Sequence, residues 1–452
     1  MYADFRSLSS ISGMVNLILG IITLILASRT KNNSWNEHFA ARLFGWFLIF
    51  GGIALFSEYM QNNPLWRGPS TYSLDAYETI EISSSILFFS MLEKVTFAAQ
   101  VSVALAIPFL FPYPFLQHEK AQRIVSTLIL TSTMILSGFA IFFSYQTFMI
   151  LRGLQGLPAL VFGFVYLRFI IKELKYGDKD ARVISAPAGL LVIALSGQWL
   201  TDWLLWITIP EQWSTPVWVS SLGSELNPQF LFVPYSILLS CGVLSLLLLF
   251  IGELIRSSRE GNSPLTILTF GFFIVGIISF IADMSIVDTL QQCIYQTCDG
   301  LPESWLIYNT FTNTLAGFLV QPIVIMFVLL NYNLIDTAKE ENGIYARAMV
   351  ILIVVIASST LIEMIQSIIP VGEIITSAIL AIGIAAAIGW EEKIMRKFLE
   401  SKNSVSDYLV GIKELVEIEF SKESSKLFTV AMGSILAFAF ILAVLHSALG
   451  LG

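Results

Sequence analysis

Charge is scarce in this sequence: Asp, Glu, Lys and Arg together make up 13% of its 452 residues, about half the share of an ordinary water-soluble domain. With 56% hydrophobic residues and a mean hydropathy of +0.76, the chain cannot be dissolved as one water-bounded core. Three cysteines are too few for a disulfide scaffold. The three histidines, His38, His118 and His446, stand at or near the ends of apolar stretches and not all on one side, which argues against a bis-histidine haem or a histidine-rich metal site. No glycine-rich loop followed by Lys and Ser or Thr offers a phosphate cradle. A formal net charge of -8 and a pI near 5.1 leave no concentrated basic face for nucleic acid. No cofactor is implied.

What the sequence does have is apolar length. About 20 helical residues at about 1.5 Å each cross the roughly 30 Å of a bilayer's hydrocarbon. Stretches of that order run over 11–27, 41–60, 85–112, 124–145, 155–171, 183–208, 229–252, 264–287, 305–332, 348–369, 371–390 and 428–449. Runs such as Ile18 to Leu26 and Leu246 to Ile251 lack the period-two alternation of a barrel strand, so helices are the form that satisfies their backbone amides in lipid. The expectation is an all-α, polytopic integral membrane bundle of about twelve transmembrane helices. It divides into a bundle of about eleven spans over 1–390, a cytoplasmic amphipathic segment over 391–426, and a final span over 427–452. A re-entrant hairpin at 348–390 is the alternative that changes the span count.

Orientation comes from Lys and Arg. The connections 28–42, 116–123, 172–182, 253–263, 333–347 and 391–426 hold 20 of the 25 basic residues, and they are every second connection. By the positive-inside tendency this set is cytoplasmic, both termini lie outside, and the chain belongs in the cell membrane with the lipid bilayer as its first partner. The first span reads as a retained anchor, because no small-residue cleavage site accompanies it. Trp66, Tyr72, Tyr77, Trp213 and Trp218 in the two long outer loops fit the interfacial aromatic belt.

A charge inside a span costs a few kcal/mol by insertion scales and so tends to have a partner or a task. Glu58, Glu93, Lys94, Arg152, Asp202, Asp283 and Glu363 fall in or beside the outer halves of their spans, with Asn309, Asn313 and Gln366 at similar depth. The inner half has only Arg168 and Gln321. This one-sidedness points to an outward-open polar pocket, with Glu93, Lys94, Asp202, Asp283, Asn309, Asn313 and Arg152 as candidate ligand-binding residues. The plainer alternative is that side chains near helix ends reach the headgroups. Cys293 and Cys298 share one outer loop, where the compartment permits a disulfide and two free thiols are the alternative.

Within 391–426, Ile394, Phe398, Leu409, Ile412, Leu415, Val416 and Ile418 recur at helical spacing among Lys and Glu. Such a segment lies on the membrane surface or against a cytoplasmic partner. Glu391-Glu392-Lys393-Ile394-Met395-Arg396 matches the paired-glutamate pattern of intramembrane CAAX-type proteases, but His446, in what looks like a second motif, belongs at the opposite membrane face. Asn331-Tyr332-Asn333-Leu334-Ile335-Asp336 at a span exit, Arg347 before a helical hairpin, and Lys393, Arg396, Lys397 and Phe398 opening a surface helix resemble the last membrane region of multi-helix sensor histidine kinases. The resemblance covers about a fifth of the chain, over 330–425. It implies an input-type membrane module. It does not imply kinase activity, because a further span stands where the phospho-acceptor segment and ATP-binding domain would follow. Three functional classes are left: a non-enzymatic sensor or receptor-like module, a secondary transporter of a small solute or ion, and a structural subunit of a membrane complex.

Overall fold

The computed structural model describes residues 6–30, 34–61, 84–118, 120–142, 150–151, 153–197, 200–208, 228–286, 302, 320–332, 334–335, 344–345, 347–352, 404–415 and 422–449. Among these the chain is helical, without a strand. In order come α1 (Arg6–Arg29), α2 (Trp35–Gln61), α3 (Ser84–Ala106) with a 3-10 turn at Ile107–Phe109, α4 (Ala121–Phe142), α5 (Gly156–Tyr176), α6 (Arg182–Ser196), α7 (Leu200–Thr208), α8 (Pro228–Glu260), α9 (Pro264–Ser285), α10 (Gln321–Asn331), α11 (Val405–Gly411) and α12 (Lys422–Leu449). Seven of the described helices are long and apolar enough to cross a membrane: all or most of α1 to α4, α8, α9 and α12.

Two expected spans differ in detail. The stretch 85–112 leaves α-helix at Ala106, because Pro108 and Pro112 cannot supply the amides that would continue it. The stretch 183–208 is described as α6 and α7, with residues 198–199 between them outside the described residues. Pro187 sits inside α6 without ending it. The stretches 353–369 and 371–390 lie outside the described residues.

The helices pack in two groups. In one, α1, α2, α3, α4 and α12 follow one another side by side. In the other, α8 lies against α5, α6, α7 and α9. Contacts of α3 with α5, and of α10 with α2 and α6, join them. The α1–α2 seam is backbone against backbone. A Cβ on Gly13 would lie 2.9 Å from Gly52 O, and one on Gly20 would lie 2.7 Å from Gly45 O, so only glycine permits this approach. Phe39, Phe44, Phe47, Phe162, Phe169 and Phe428 fill the centre, with Phe39 edge-on to Phe428 at 4.7 Å.

Helix α4 buries Gln122, Ser126, Thr133 and Ser137 beside Val125 and Ile129, while Ile124, Leu128, Ile135 and Phe139 are exposed together with Arg123, Thr127 and Thr131. On α9, Ile267, Ile274, Ile278 and Ile281 form an exposed apolar stripe. Exposed apolar surface on this scale needs an apolar neighbour.

Candidate functional site

Polar contacts concentrate at one end of the bundle, and the segment 404–415 lies across it. Ser404 caps α11 by accepting from Asp407 N–H at 3.1 Å. Val405 and Leu409 are buried in the main core. After α11, Lys413 adopts φ 58°, the left-handed conformation that usually takes glycine. Its N–H bonds Val410 O at 3.0 Å and that of Glu414 bonds Leu409 O at 2.9 Å. This reversal points Glu414 back at α5.

Glu414 is held from two sides. Arg168 Nη2 donates to both of its carboxylate oxygens at 2.9 Å, and Lys172 Nζ donates to Oε1 at 2.9 Å. The Arg168 guanidinium stands 4.6 Å from the centre of the Tyr113 ring, and Lys172 Nζ lies 4.9 Å from that of Phe169. Gln117 Nε2 donates to Glu414 O at 2.8 Å. Tyr408 Oη donates to Asp178 Oδ2 at 2.6 Å, and the backbone N–H of Ser406 donates to Glu37 Oε1 at 3.0 Å. Burial and the neighbouring Asp178 carboxylate push the Tyr408 hydroxyl above its ordinary range. The strap is thus tied to α2, to the α3–α4 connection, to α5 and to the α5–α6 turn.

Behind it lies a second network, almost dry. Glu253 on α8 accepts from Tyr166 Oη at 3.1 Å, Thr266 Oγ1 at 2.5 Å and Arg256 Nε at 3.1 Å. Arg256 Nη2 donates to Thr266 Oγ1 at 2.5 Å. Ser263 and Thr266 form a capping box at the start of α9, which explains why α8 and α9 turn sharply here. Glu173 pairs with Arg182 at 3.6 Å, and its Oε2 is buried without a hydrogen-bond partner. Burial raises the Glu173 carboxyl above its ordinary value, and Arg182 offsets part of that rise.

The connections rich in Lys and Arg meet at this end. Arg29 stacks on Tyr345 at 5.0 Å, Arg42 bonds Ser425, Arg123 pairs with Glu423 at 3.6 Å, and Arg259 Nη1 donates to Leu174 O at 3.0 Å. The opposite end holds its own contacts. Ser447 Oγ donates to Ser84 O at 2.7 Å, His446 Nδ1 stands 3.2 Å from Leu87 O, and Gln61 Nε2 donates to Glu93 Oε2.

Of the sequence-derived candidates, Glu93 and Lys94 lie together on α3, each half-buried. Asp283 is in the last turn of α9, where its carbonyl accepts from Ile286 N–H at 3.2 Å. Asp202 is on α7, with its side chain outside the described residues. Helix α3 packs on α2, α4, α5 and α12, whereas α7 and α9 pack on each other and on α8, so Glu93 and Lys94 belong to one helix group and Asp202 and Asp283 to the other. Arg152, Asn309, Asn313, Cys293 and Cys298 lie outside the described residues. A small gap lined by Phe44, Phe47, Ile107, Phe162, Leu191 and Ile325 holds no polar group and offers a charged solute nothing. No cluster of three or more His, Cys, Asp and Glu able to hold a metal occurs among the described residues.

Sequence reasoning missed Glu37, Glu173, Glu253 and Arg256 by assigning them to wet connections. The one legible signal was Ser263-Pro264-Leu265-Thr266, a helix start three residues after Glu260. No protein-family model, no curated protein and no solved structure matches this chain.

Proposed function

We propose that this chain is a multi-pass protein of the cell membrane that works as a non-enzymatic sensor or receptor-like module, its strapped end facing the cytoplasm. The exposed Ile124, Leu128, Ile135 and Phe139 of α4, the isoleucine stripe of α9 and the seven membrane-length helices support the membrane setting. One observation carries the receptor reading. The unbroken helix α2 touches the candidate outer site through Gln61, which bonds Glu93, and touches the strap through Glu37, which bonds Ser406. Those contacts are separated by about 36 Å of helix at about 1.5 Å per residue. A rigid element that both ends engage is the physical means by which an event at one could bias the other.

The test uses an environment-sensitive fluorophore on a single cysteine at Val410, which is 43% exposed, in the full chain with Cys241, Cys293 and Cys298 replaced by Ser and reconstituted in liposomes. Glu93→Gln is expected to change the signal at 410 from across the bilayer. External carboxylates or amines are expected to change it saturably without entering the lumen. A signal at 410 that ignores Glu93→Gln and every external solute would overturn the reading.

A secondary transporter is the second reading, favoured by the hydroxyl and indole groups that α6 and α7 share with α8 and α9: Ser196 Oγ lies 3.5 Å from Ser245 Oγ, Trp203 Nε1 donates to Ser240 Oγ at 3.3 Å, and Thr201 Oγ1 donates to Gly276 O at 3.2 Å. Polar side chains meeting inside a membrane bundle tend to mark substrate or ion pathways. Accumulation of a labelled solute inside the same liposomes would establish it.

A further inference from the structure

We propose that Arg168 and Lys172 form a binding site for the anionic headgroup of a cytoplasmic-leaflet phospholipid, and that Glu414 is its competitor built into the chain. The site is made before the strap reaches it. Arg168 and Lys172 are one turn apart on α5 and converge on a single carboxylate, while Tyr113 and Phe169 support the two cations from beneath. One Arg168 nitrogen and the Lys172 ammonium share the two carboxylate oxygens, and a lipid phosphodiester suits the same donors because it too presents two unbridged oxygens and one negative charge. The carboxylate in place shows that an anion fits.

The surroundings decide the source of that anion. With Glu414 docked, the Arg168 and Lys172 side chains are still 45% and 27% exposed. Phe164, one turn before Arg168 on the same face of α5, is exposed, as are Ile171 beyond it and Phe115 in the α3–α4 connection. The cation pair therefore stands at the boundary between an exposed apolar stripe and the polar end of the bundle, where acyl chains would lie along Phe164 and the phosphate would meet Arg168. A soluble anion has no use for that apolar flank; a phospholipid needs it. Basic pockets at this depth on the cytoplasmic side are the general setting for anionic headgroups. The phosphodiester carries one negative charge, as the carboxylate does, so exchange leaves the charge balance at the two cations unchanged and releases Glu414.

The inference rests on placing this end of the bundle in the cytoplasm, not on the receptor reading. Its test is indifferent to sidedness. Full-length protein in neutral detergent is mixed with phosphatidylglycerol or phosphatidylcholine, and bound lipid is measured by native mass spectrometry. The parent is expected to retain phosphatidylglycerol preferentially. Arg168→Gln and Lys172→Gln are each expected to weaken that retention about five-fold, as befits one basic residue at a lipid surface. Arg168→Lys should keep part of it. Glu414→Gln should bind phosphatidylglycerol more tightly than the parent, a gain that misfolding cannot imitate. Equal retention of both lipids by the parent would overturn the proposal. So would an unchanged preference in the Arg168→Gln and Lys172→Gln double variant, or no gain in Glu414→Gln. Inorganic phosphate alone displacing the lipid at equal concentration would overturn the lipid assignment and mark the site as one for free anions.

Discussion

Arg256 and Glu253 stand three residues apart on α8 and pair at 3.1 Å, with side chains 4% and 1% exposed. A pair so deep has lost most of its hydration, so removing either partner strands a charge in a dry place. Arg256→Met or Glu253→Gln is expected to cost about 3–5 kcal/mol, the usual loss on breaking a buried ion pair. Thr266 and Tyr166 would then keep bonds to a carboxylate without its cation, or to an amide oxygen in its place. The double change Glu253→Gln with Arg256→Met should recover a large part, because it leaves no unpaired charge and the amide oxygen still accepts from Thr266 and Tyr166. Thermal unfolding in detergent reads the difference. Additive losses in the double variant would show that the two groups act separately.

Topology yields the next expectation. The connections rich in Lys and Arg meet through contacts such as Arg42 with Ser425, Arg123 with Glu423 and Arg168 with Glu414. Single cysteines within 218–225 should react with a membrane-impermeant thiol reagent on intact cells, and those within 175–180 should not. Equal labelling of both sets would reverse or dissolve the assignment. On that sidedness the loop of Cys293 and Cys298 is expected in the oxidising compartment, and peptide mass spectrometry without reduction should find them bridged.

Which connections share an end was legible because Lys and Arg are counted the same way however the helices pack. The depth of individual charges was not. Glu37 lies in the first turn of α2 and Glu253 about two turns before the end of α8, where a sequence suggests water; the strap and α9 cover them, which only tertiary contacts reveal. The α1–α2 seam hid for the same reason. Ala381, Ala385 and Gly389 show four-residue spacing in the sequence, yet the described close approach uses Gly13, Gly20, Gly45 and Gly52, whose pairing depends on how two helices are aligned.

Glu93 and Lys94 supply a test of the outer site. Gln61 bonds Glu93 across the α2–α3 interface, and Lys94 is the neighbouring cation. Glu93→Gln and Lys94→Met should each lower thermal stability, and the double change should cost less than their sum by about 0.5–3 kcal/mol, the range of coupling between residues in one network. Asp202 lies on α7, in the other helix group, so Asp202→Asn should add to Lys94→Met without coupling. Coupling between Asp202 and Lys94 in a melting series would instead bring the two groups into one outward cavity, as the sequence alone suggests. Single variants that all match the parent would remove the outer site.

Glu173 sets a pH dependence whose sign follows from its burial. Its side chain is 1% exposed, and Arg182 is its ion-pair partner at 3.6 Å. Arg182 and Arg256 favour the ionised form, while Glu253, Glu260 and above all desolvation oppose it, so the folded carboxyl holds its proton more tightly than the ordinary value of 4.5. The folded state therefore binds more protons than the unfolded one above pH 4.5, and this group's contribution to stability falls as pH rises through the folded value. Glu173→Gln cannot ionise and should flatten that decline. Its melting temperature relative to the parent should rise from acidic to neutral pH. Arg182→Gln removes the largest offset to desolvation and should steepen the fall, which separates an effect of Glu173 from a general response of the bundle to pH. A Glu173→Gln curve parallel to the parent's across the same range would show that Glu173 is ionised at no cost, with water or an ion reaching its buried oxygen.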